Sequence, residues 1–254
     1  MHSIESLQAA AHDFSGKITA QKISRSDIHW YPYTSLSNIE HLLPILPVEM
    51  IEALSHGTFD ARVLDIGAAD GDLGYFFESR GAHVDFLDYA PTNYNDCKGL
   101  QTQKVILESM ATINEQNIDQ GFLLDGQYDF ALALGLLYHL RNPFLFLMTL
   151  ASHAERMVLS TRVARKMGDH DVHDISLAYV LDTRESNNDP TNYWTFSPKG
   201  LMVTLKRSGW IVKEARHVGC TPDSNPVDAD KDERMFVYCE RVQNWRDLWL
   251  HHDF

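Results

Sequence analysis

A glycine-rich turn is the part of this sequence whose residue types and spacing point most directly to chemistry. The stretch VLDIGAADGDLG, residues 63–74, places glycines and aspartates directly after an apolar run that is predicted to be a strand. Glycine lets a backbone approach a ligand closely, and the unpaired amides of the following helix can donate to a polar or anionic group. A second predicted strand ends in Asp88, about 20 residues further on, where a carboxylate can accept hydrogen bonds from ribose hydroxyls. The pattern predicts a site for a ligand that contains a nucleoside.

The spacing of the glycines distinguishes between two kinds of nucleoside ligand. A dinucleotide site favours G-x-G-x-x-G, whereas the glycines here are Gly67, Gly71 and Gly74. Asp65 lies two residues before the first of them, and a carboxylate there would repel a pyrophosphate but attract an ammonium or a sulfonium group. S-adenosylmethionine is a cofactor of this kind, so we predict it in preference to NAD.

Four segments resemble a known family. VLDIGAADG resembles the first motif of class I S-adenosylmethionine-dependent methyltransferases, and FLDYAP resembles their second-strand acidic motif. YDFALALGLLYHLRNPF is similar to their fourth-strand motif, most closely to that of the subgroup that contains the tRNA uridine-34 carboxymethyltransferase. SPKGLMVTLKRSGWIVKEARHV resembles the C-terminal part of the same group. The resemblance covers residues 61–218 and is poor before them.

The resemblance implies which residues hold the cofactor. That set is Asp65, Gly67, Ala69, Gly71, Asp88, Tyr89, Ser109, Met110 and Leu134. Asp65 would lie near the amino group of the methionine part, and Asp88 would hold the ribose. Ser109 and Met110 would follow the third strand, near the adenine edge. Ala69 departs from the family, which usually has a second glycine at that place in the turn.

Methyl transfer mainly requires that the acceptor is held in line with the S–CH3 bond and that water is excluded, with a base only where the acceptor must lose a proton. The candidates for a base or an orienting group are His139, Tyr138, His170 and His173. The candidates for contacts with the substrate are Trp30, Tyr31, Tyr33, Tyr138 and Arg234. A structural role stays open for these aromatic and histidine side chains, because aromatics commonly pack inside proteins. The cluster DHDVHD, residues 169–174, lacks a helical frame and a third ligand, so we predict no metal site.

Short apolar runs that alternate with helical segments predict the scaffold. The predicted strands are residues 61–67, 82–89, 104–109, 128–137 and 155–163, and the predicted helices between them are 72–79, 91–100 and 143–152. A helix over 198–206 and strands over 210–218 and 234–242 follow. This alternation predicts a doubly wound, Rossmann-like α/β fold with helices on both faces of the sheet. The resemblance implies seven strands, mostly parallel, with an antiparallel last strand.

The predicted domain organisation has two parts. Residues 1–56 would form an N-terminal helical arm, with a helix over 3–14 and another over 37–56 that two prolines interrupt. Residues 57–254 would form the methyltransferase domain. The long polar stretch at about 165–196 is predicted to be a lid, because long loops in compact domains are usually functional.

The composition limits the binding partners and the cellular location that we expect for this protein. The 254 residues include 22 Lys and Arg against 35 Asp and Glu, and the formal net charge of −13 disfavours binding to nucleic acid. Cys97, Cys220 and Cys239 lack a C-x-x-C spacing and suit a reducing cytoplasm. The sequence shows no long apolar run and no leader pattern, so we expect a cytoplasmic protein outside the membrane. A homodimer is left open.

Three functions remain at this stage. We expect an S-adenosylmethionine-dependent methyltransferase that acts on a small molecule. The first alternative is transfer of a modified methyl group to tRNA, as the subgroup resemblance implies, with Arg234 holding a carboxylate. The second is a protein without catalytic activity that binds the cofactor as a sensor or serves as a scaffold.

Overall fold

The computed structural model describes residues 2–244 of the chain. They form two compact units, the first with the residues up to Asn117 and Gln127–Leu132, the second with Ile118–Gly126 and the residues from Ala133 onward. The chain passes from the first unit to the second within strand β4, Phe130–Leu134. Residue 1 of the predicted arm and residues 245–254 of the predicted domain lie outside the described part.

The helices of the first unit begin with one longer than predicted. Helix α1 spans His2–Ser24, because apolar residues such as Ile18, which is 3% exposed, continue its buried face beyond the predicted end at residue 14. The other helices are α2 (Ile39–Leu42), α3 (Val48–His56), α4 (Asp72–Ser79) and α5 (Lys98–Ile106). The predicted interruption by Pro44 and Pro47 is confirmed, since both lie between α2 and α3. No helix within residues 2–244 is both long and apolar enough to cross a membrane.

The sheet of the first unit is parallel. Strands β1 (Arg62–Ile66), β2 (His83–Asp88) and β3 (Thr112–Glu115) join β4 in the order β4-β1-β2-β3. Each neighbouring pair is parallel, as predicted. All the strands therefore present their carboxyl ends at one edge of the sheet, where ligands of α/β folds bind.

The predicted position of the third strand is wrong. Residues 104–106 belong to helix α5, and β3 begins only at Thr112. Pro91 opens a 3-10 turn, Ala90–Thr92, rather than the predicted helix over 91–100. A short apolar run such as KVIL fits a strand or a buried helix equally well, and the polar segment TINE carries no strand pattern of its own.

The second unit contains the antiparallel part of the fold. Its long strands are β5 (Arg156–Val163), β10 (Trp210–Gly219) and β11 (Glu233–Arg241), and its helices are α6 (Pro143–His153) and α7 (Pro198–Arg207). Strand β11 is antiparallel to both β10 and β5, which confirms the predicted antiparallel last strand. The predicted cap is also present, since Ser197 Oγ accepts from the Gly200 amide at the start of α7.

The predicted lid contains strands that the sequence did not indicate. They are β6 (Lys166–Met167), β7 (His170–Asp171), β8 (Ala178–Val180) and β9 (Trp194–Phe196). Strand β9 pairs with β5 in parallel, β8 pairs with β9, and β6 pairs with β7 as a separate ribbon. The described strands therefore exceed the predicted seven, and the role of this segment as a lid stays a prediction.

Candidate cofactor site

The glycine-rich turn between β1 and α4 adopts a left-handed backbone at alternate residues. Gly67 has φ 64°, Ala69 has φ 57° and Gly71 has φ 82°. Ala69 therefore takes a conformation that favours glycine, at a cost of order 1–3 kcal/mol. Such strain in a non-glycine residue persists only where its surroundings enforce it, and it is found most often at functional sites.

Gly71 has no room for a side chain. A Cβ placed there would lie 2.5 Å from Leu100 Cδ1 and 2.7 Å from Tyr75 Cε2. We expect Gly71→Ala to lower the free energy of unfolding by about 2–4 kcal/mol, because it adds both left-handed strain and overpacking. Gly16→Ala is the matched control: Gly16 lies inside α1 with nothing within 4 Å of the added Cβ. That change should stabilise the protein by about 0.5–1 kcal/mol in urea unfolding, and equal effects of the two changes would contradict the prediction.

Asp65 is a buried carboxylate one residue before the end of β1. Its exposed fraction is 5%, and its Oδ2 atom has no hydrogen-bond partner among the described residues. Burial raises the pKa of Asp65 to about 7, and the negative charges of Asp88 and Asp72 act in the same direction, while the backbone amide of Gly74 acts against them. An ammonium or sulfonium group beside this carboxylate would stabilise its charged form and lower its pKa again. The residues therefore fit a cationic ligand.

Asp88, at the end of β2, is held in a fixed orientation. Its Oδ1 accepts from the Tyr89 amide at 2.8 Å, and its Oδ2 accepts from Asn93 Nδ2 at 3.1 Å. Each carboxylate oxygen can accept a further hydrogen bond. Burial also raises the pKa of Asp88, so donors from a ligand would favour its charged form. The side chain is therefore prepared to accept from a pair of hydroxyls, as a ribose presents them.

A buried ion-pair cluster, which the sequence analysis missed, lies against the turn. Lys22 Nζ in α1 is 2.9 Å from Asp70 Oδ2 and 2.9 Å from Asp72 Oδ1, and both aspartate side chains are 1% exposed. Lys22 Nζ also lies 5.4 Å from the centre of the Trp30 ring. The quoted motif already contains both aspartates, but nothing in the sequence of α1 singles out Lys22.

The aromatic residues after α1 are also fixed at the turn. The Tyr31 amide donates to Asp70 Oδ2 at 3.0 Å, and the Tyr31 hydroxyl accepts from the Tyr94 amide at 2.9 Å. The Trp30 indole donates to carbonyls at the end of α1. Burial raises the pKa of Tyr31, with the charge of Asp88 among the further causes. The structure thus brings Trp30 and Tyr31 to the turn, whereas Tyr33 touches the Tyr31 ring and is 60% exposed.

Comparison with solved structures identifies the fold. The N-terminal domain of EvdMO1 with S-adenosylhomocysteine bound is 15% identical, with a TM-score of 0.54 over 90% of this chain and 97% of that one. A putative methyltransferase from Bacillus halodurans C-125 is 12% identical, with a TM-score of 0.53 over 72% and 94%. The chain has a methyltransferase fold. No family model matches the sequence, and neither does any curated protein.

A third structure with this methyltransferase fold contains a small acceptor. It is the 1,6-didemethyltoxoflavin-N1-methyltransferase of Burkholderia thailandensis with bound 1,6-didemethyltoxoflavin and S-adenosylhomocysteine. Its sequence is 16% identical, and the TM-score is 0.50 over 72% of each chain. At such identities the similarity establishes the fold of our chain.

Two predicted cofactor residues lie at the other end of their strand in this methyltransferase fold. Ser109 and Met110 precede β3, so the prediction that they follow it is wrong. Met110 is 89% exposed, and its amide donates to Glu78 Oε1 at 2.9 Å. The residue at the carboxyl end of β3 is Glu115, in register with Asp88. The misplaced third strand is the cause of the error.

The remaining cofactor candidates keep their predicted positions in the chain. Tyr89 directly follows Asp88 at the end of β2. Leu134 is the last residue of β4 and is half-buried. Gly135 follows with φ 68°, and its amide donates to the Ser160 carbonyl at 2.9 Å. Their contacts with a cofactor stay predictions.

The second unit contains the other candidates. Tyr138 and His139 lie in a 3-10 turn after β4. The Arg234 guanidinium lies 5.6 Å from the centre of the Tyr138 ring, and its Nη2 donates to the Tyr138 hydroxyl at 3.4 Å. The structure therefore brings Tyr138 and Arg234 together, which the sequence could only suggest from the motif.

The predicted lid contains the other two histidine candidates. His170 is exposed in β7, and His173 is paired with Asp171 at 2.6 Å and with Asp174 at 2.8 Å. The hydrogen bond to Asp171 raises the pKa of His173. Within residues 2–244, no group of three or more His, Cys, Asp or Glu side chains is placed to hold a metal ion.

Proposed function

We propose that this protein is an S-adenosylmethionine-dependent methyltransferase that acts on a small molecule. The observation that carries the proposal is the buried Asp65 carboxylate, whose Oδ2 has no partner in the described chain, beside a turn with a left-handed backbone. Asp88 adds an oriented acceptor for a ribose at the end of the next strand. The methyltransferase fold supports the same conclusion, since two of the similar structures contain S-adenosylhomocysteine.

The chain's own residues would divide the binding as follows. Asp65 would face the positively charged methionine part, and Gly67, Ala69 and Gly71 would let the backbone approach it. Asp88 would accept from the ribose hydroxyls. Tyr89 would lie beside the adenine, and Leu134 would line the methionine end, as the resemblance implies.

The residues after α1 would exclude water from the cofactor. When bound, S-adenosylmethionine supplies a methyl group on a good leaving group, so the protein mainly has to position the acceptor. The Trp30 indole donates to the carbonyls of Lys22 and Arg25. The Tyr31 hydroxyl accepts from the Tyr94 amide, and the Tyr31 backbone amide donates to Asp70. Such anchored aromatic side chains can cover a ligand at little entropic cost, because their rotamers are already fixed.

A small molecule is the proposed acceptor. The net charge of −13 opposes a polyanionic substrate. One similar structure contains bound 1,6-didemethyltoxoflavin, and another was determined in the presence of D-fucose. Tyr33, Tyr138 and Arg234 stay candidates for contacts with the acceptor, together with Trp30 and Tyr31. A cytoplasmic location remains part of this proposal.

One observation favours a second function, the transfer of a carboxymethyl group to tRNA. Arg234 lies against the Tyr138 hydroxyl and offers a cation that could hold a carboxylate. The two functions are separated by binding to a tRNA at modest salt, since an RNA enzyme would bind it through salt-dependent phosphate contacts. Absence of such binding favours the small-molecule acceptor.

The test of the proposed function is calorimetric titration of cofactor-free protein with S-adenosylmethionine and S-adenosylhomocysteine. We expect Asp88→Asn to weaken both by about 2–3 kcal/mol, roughly 100-fold, because one charged acceptor facing the ribose is lost. Asp96→Asn is the matched control: Asp96 is exposed and paired with Lys98, so that variant should bind as the wild type does. A folded wild-type protein that binds neither ligand would contradict the proposal.

A further inference from the structure

Asn93, in the first unit, joins the carboxylate at the end of β2 to the turn that precedes α5. Its Nδ2 donates to Asp88 Oδ2 at 3.1 Å. Its Oδ1 accepts from the Asn95 amide at 3.1 Å and from the Cys97 amide at 3.0 Å. The side chain is buried, so water competes little for these hydrogen bonds. One side-chain amide therefore closes the turn and holds the carboxylate at the same time.

The contacts of Asn93 decide which end of its amide faces Asp88. The backbone amides of Asn95 and Cys97 only donate, so the atom that they share is the oxygen. The NH2 group then faces Asp88, where a carboxylate only accepts. A rotated side chain would place donors against donors and an oxygen against a carboxylate. The orientation of Asn93 is therefore fixed from both ends.

The backbone before α5 presents the two amides that Asn93 binds. Asp96 has φ 56° and Cys97, which directly precedes α5, has φ 60°. Two successive non-glycine residues are thus left-handed, and such a backbone persists only where its surroundings enforce it. The Asn93 side chain is part of those surroundings, because it accepts from the Cys97 amide.

Asp88 is held from two sides by different kinds of donor. The Tyr89 amide on Oδ1 belongs to the next residue and follows the backbone of Asp88 itself, whereas Asn93 reaches Oδ2 from five residues further on. Burial raises the pKa of Asp88, and the Tyr89 amide and the Asn93 side chain act against it. Asn93 is therefore the side chain that resists rotation of this carboxylate.

The neighbouring Asn95 has the same burial and the same turn but other partners. Its Nδ2 donates to Asp70 Oδ1 at 2.8 Å and to the His29 carbonyl at 3.1 Å. Its Oδ1 accepts from the Gly99 amide at 3.2 Å. These contacts lead to the glycine-rich turn and to the segment after α1. The chain therefore contains a matched asparagine for separating the turn from the carboxylate.

We propose that Asn93 is a positioning residue that fixes Asp88 for both hydroxyls of a ribose and so makes the site select a ribose over a deoxyribose. The proposal rests on the proposed function, in which Asp88 accepts from the ribose of the cofactor. A carboxylate that cannot rotate offers each oxygen in one direction. A ligand that lacks one hydroxyl then leaves a buried, charged oxygen without its donor, which is the kind of loss that separates closely similar ligands.

The test is calorimetric titration of cofactor-free protein with S-adenosylhomocysteine and with its 2′-deoxy and 3′-deoxy analogues. The wild type should bind each analogue about 10- to 100-fold more weakly than S-adenosylhomocysteine. Asn93→Ser should reduce this preference to less than about 5-fold and weaken S-adenosylhomocysteine itself by about 10-fold. A serine hydroxyl can still close the turn by accepting from the Asn95 amide, but it is one bond too short to donate to Asp88.

Asn95→Ser is the matched control. It disturbs the same turn through contacts to Asp70 and His29, so it should lower the stability in urea unfolding but keep the wild-type preference for a ribose. Asn187→Ser, in an exposed turn of the second unit, should change neither the stability nor the preference by a measurable amount. A general loosening of the first unit would lower all three affinities together and leave their ratio unchanged, so the ratio reports on the orientation of Asp88.

The outcomes separate this proposal from the proposed function. Wild-type protein that binds S-adenosylhomocysteine and both analogues equally would overturn the role of Asn93 without any variant and leave the methyltransferase intact. An unchanged preference in Asn93→Ser, or an equal fall in Asn93→Ser and Asn95→Ser, would also overturn it. Wild-type protein that binds neither S-adenosylmethionine nor S-adenosylhomocysteine would overturn the proposed function first.

Discussion

Replacing Asp65 by asparagine is expected to make the protein more stable at pH 8 while it loses its affinity for S-adenosylmethionine. Burial raises the pKa of Asp65 from 3.8 to about 7. A carboxyl whose folded-state pKa is raised contributes its full stability at low pH and loses it as the pH rises from about 4 to about 7. Asparagine keeps the shape and never ionises, so Asp65→Asn should gain roughly 2–4 kcal/mol at pH 8.

Urea unfolding at pH 4 and pH 8 measures the first effect, with Asp60→Asn as control because Asp60 is 88% exposed. The gain of Asp65→Asn should appear at pH 8 and shrink at pH 4, whereas the control should change little at either pH. Calorimetry measures the second effect: near pH 6.5 the wild type should release a proton when a cation binds, and the variant should not. A variant that is less stable than the wild type at pH 8 would contradict the raised pKa of this buried carboxylate.

Removing the Lys22 ammonium should produce the largest loss of stability among the single changes considered. Lys22→Met keeps an unbranched apolar stem but leaves Asp70 and Asp72 buried without their shared cation. Breaking a buried ion pair from one side costs about 3–5 kcal/mol. Arg25→Met is the matched control, since Arg25 pairs with Asp27 at the exposed surface and such pairs are worth about 0–1 kcal/mol.

Thermal and urea unfolding of the two variants test this directly. Adding Asp72→Asn to Lys22→Met should recover part of the lost stability, because it removes one of the two buried charges that have lost their cation. Protein in which Lys22→Met and Arg25→Met cost the same would show that the cluster contributes no more than a surface pair.

The glycine-rich turn and the elements on either side of it could be predicted from the sequence, because their pattern is local. Strand β1, the turn and α4 follow one another within residues 62–79, and the left-handed positions coincide with glycines except at Ala69. The third strand could not be predicted, because its four residues have no apolar alternation and a helix with an apolar run precedes it. Ser109 and Met110 were misassigned for that reason.

Long-range contacts explain most of what remained unpredicted. Lys22 reaches Asp72 over 50 residues, and His139 reaches Thr191 over 52. Neither partner carries a local signal, since a lysine at the end of a helix and a threonine in a polar loop are ordinary residues in those places. Only tertiary structure brings them to the partners that they contact.

The span between Lys22 and Asp72 also has a consequence for synthesis on the ribosome. Helix α1 is made before α4, and the 50 residues between these partners take roughly 3–10 s to translate. During that time Phe14 lacks its partner in α4, the ring of Phe76, whose centre lies 5.6 Å away in the finished protein. The docking of α1 is therefore the step at which Asp70 and Asp72, beside the glycine-rich turn, acquire the cation that they share.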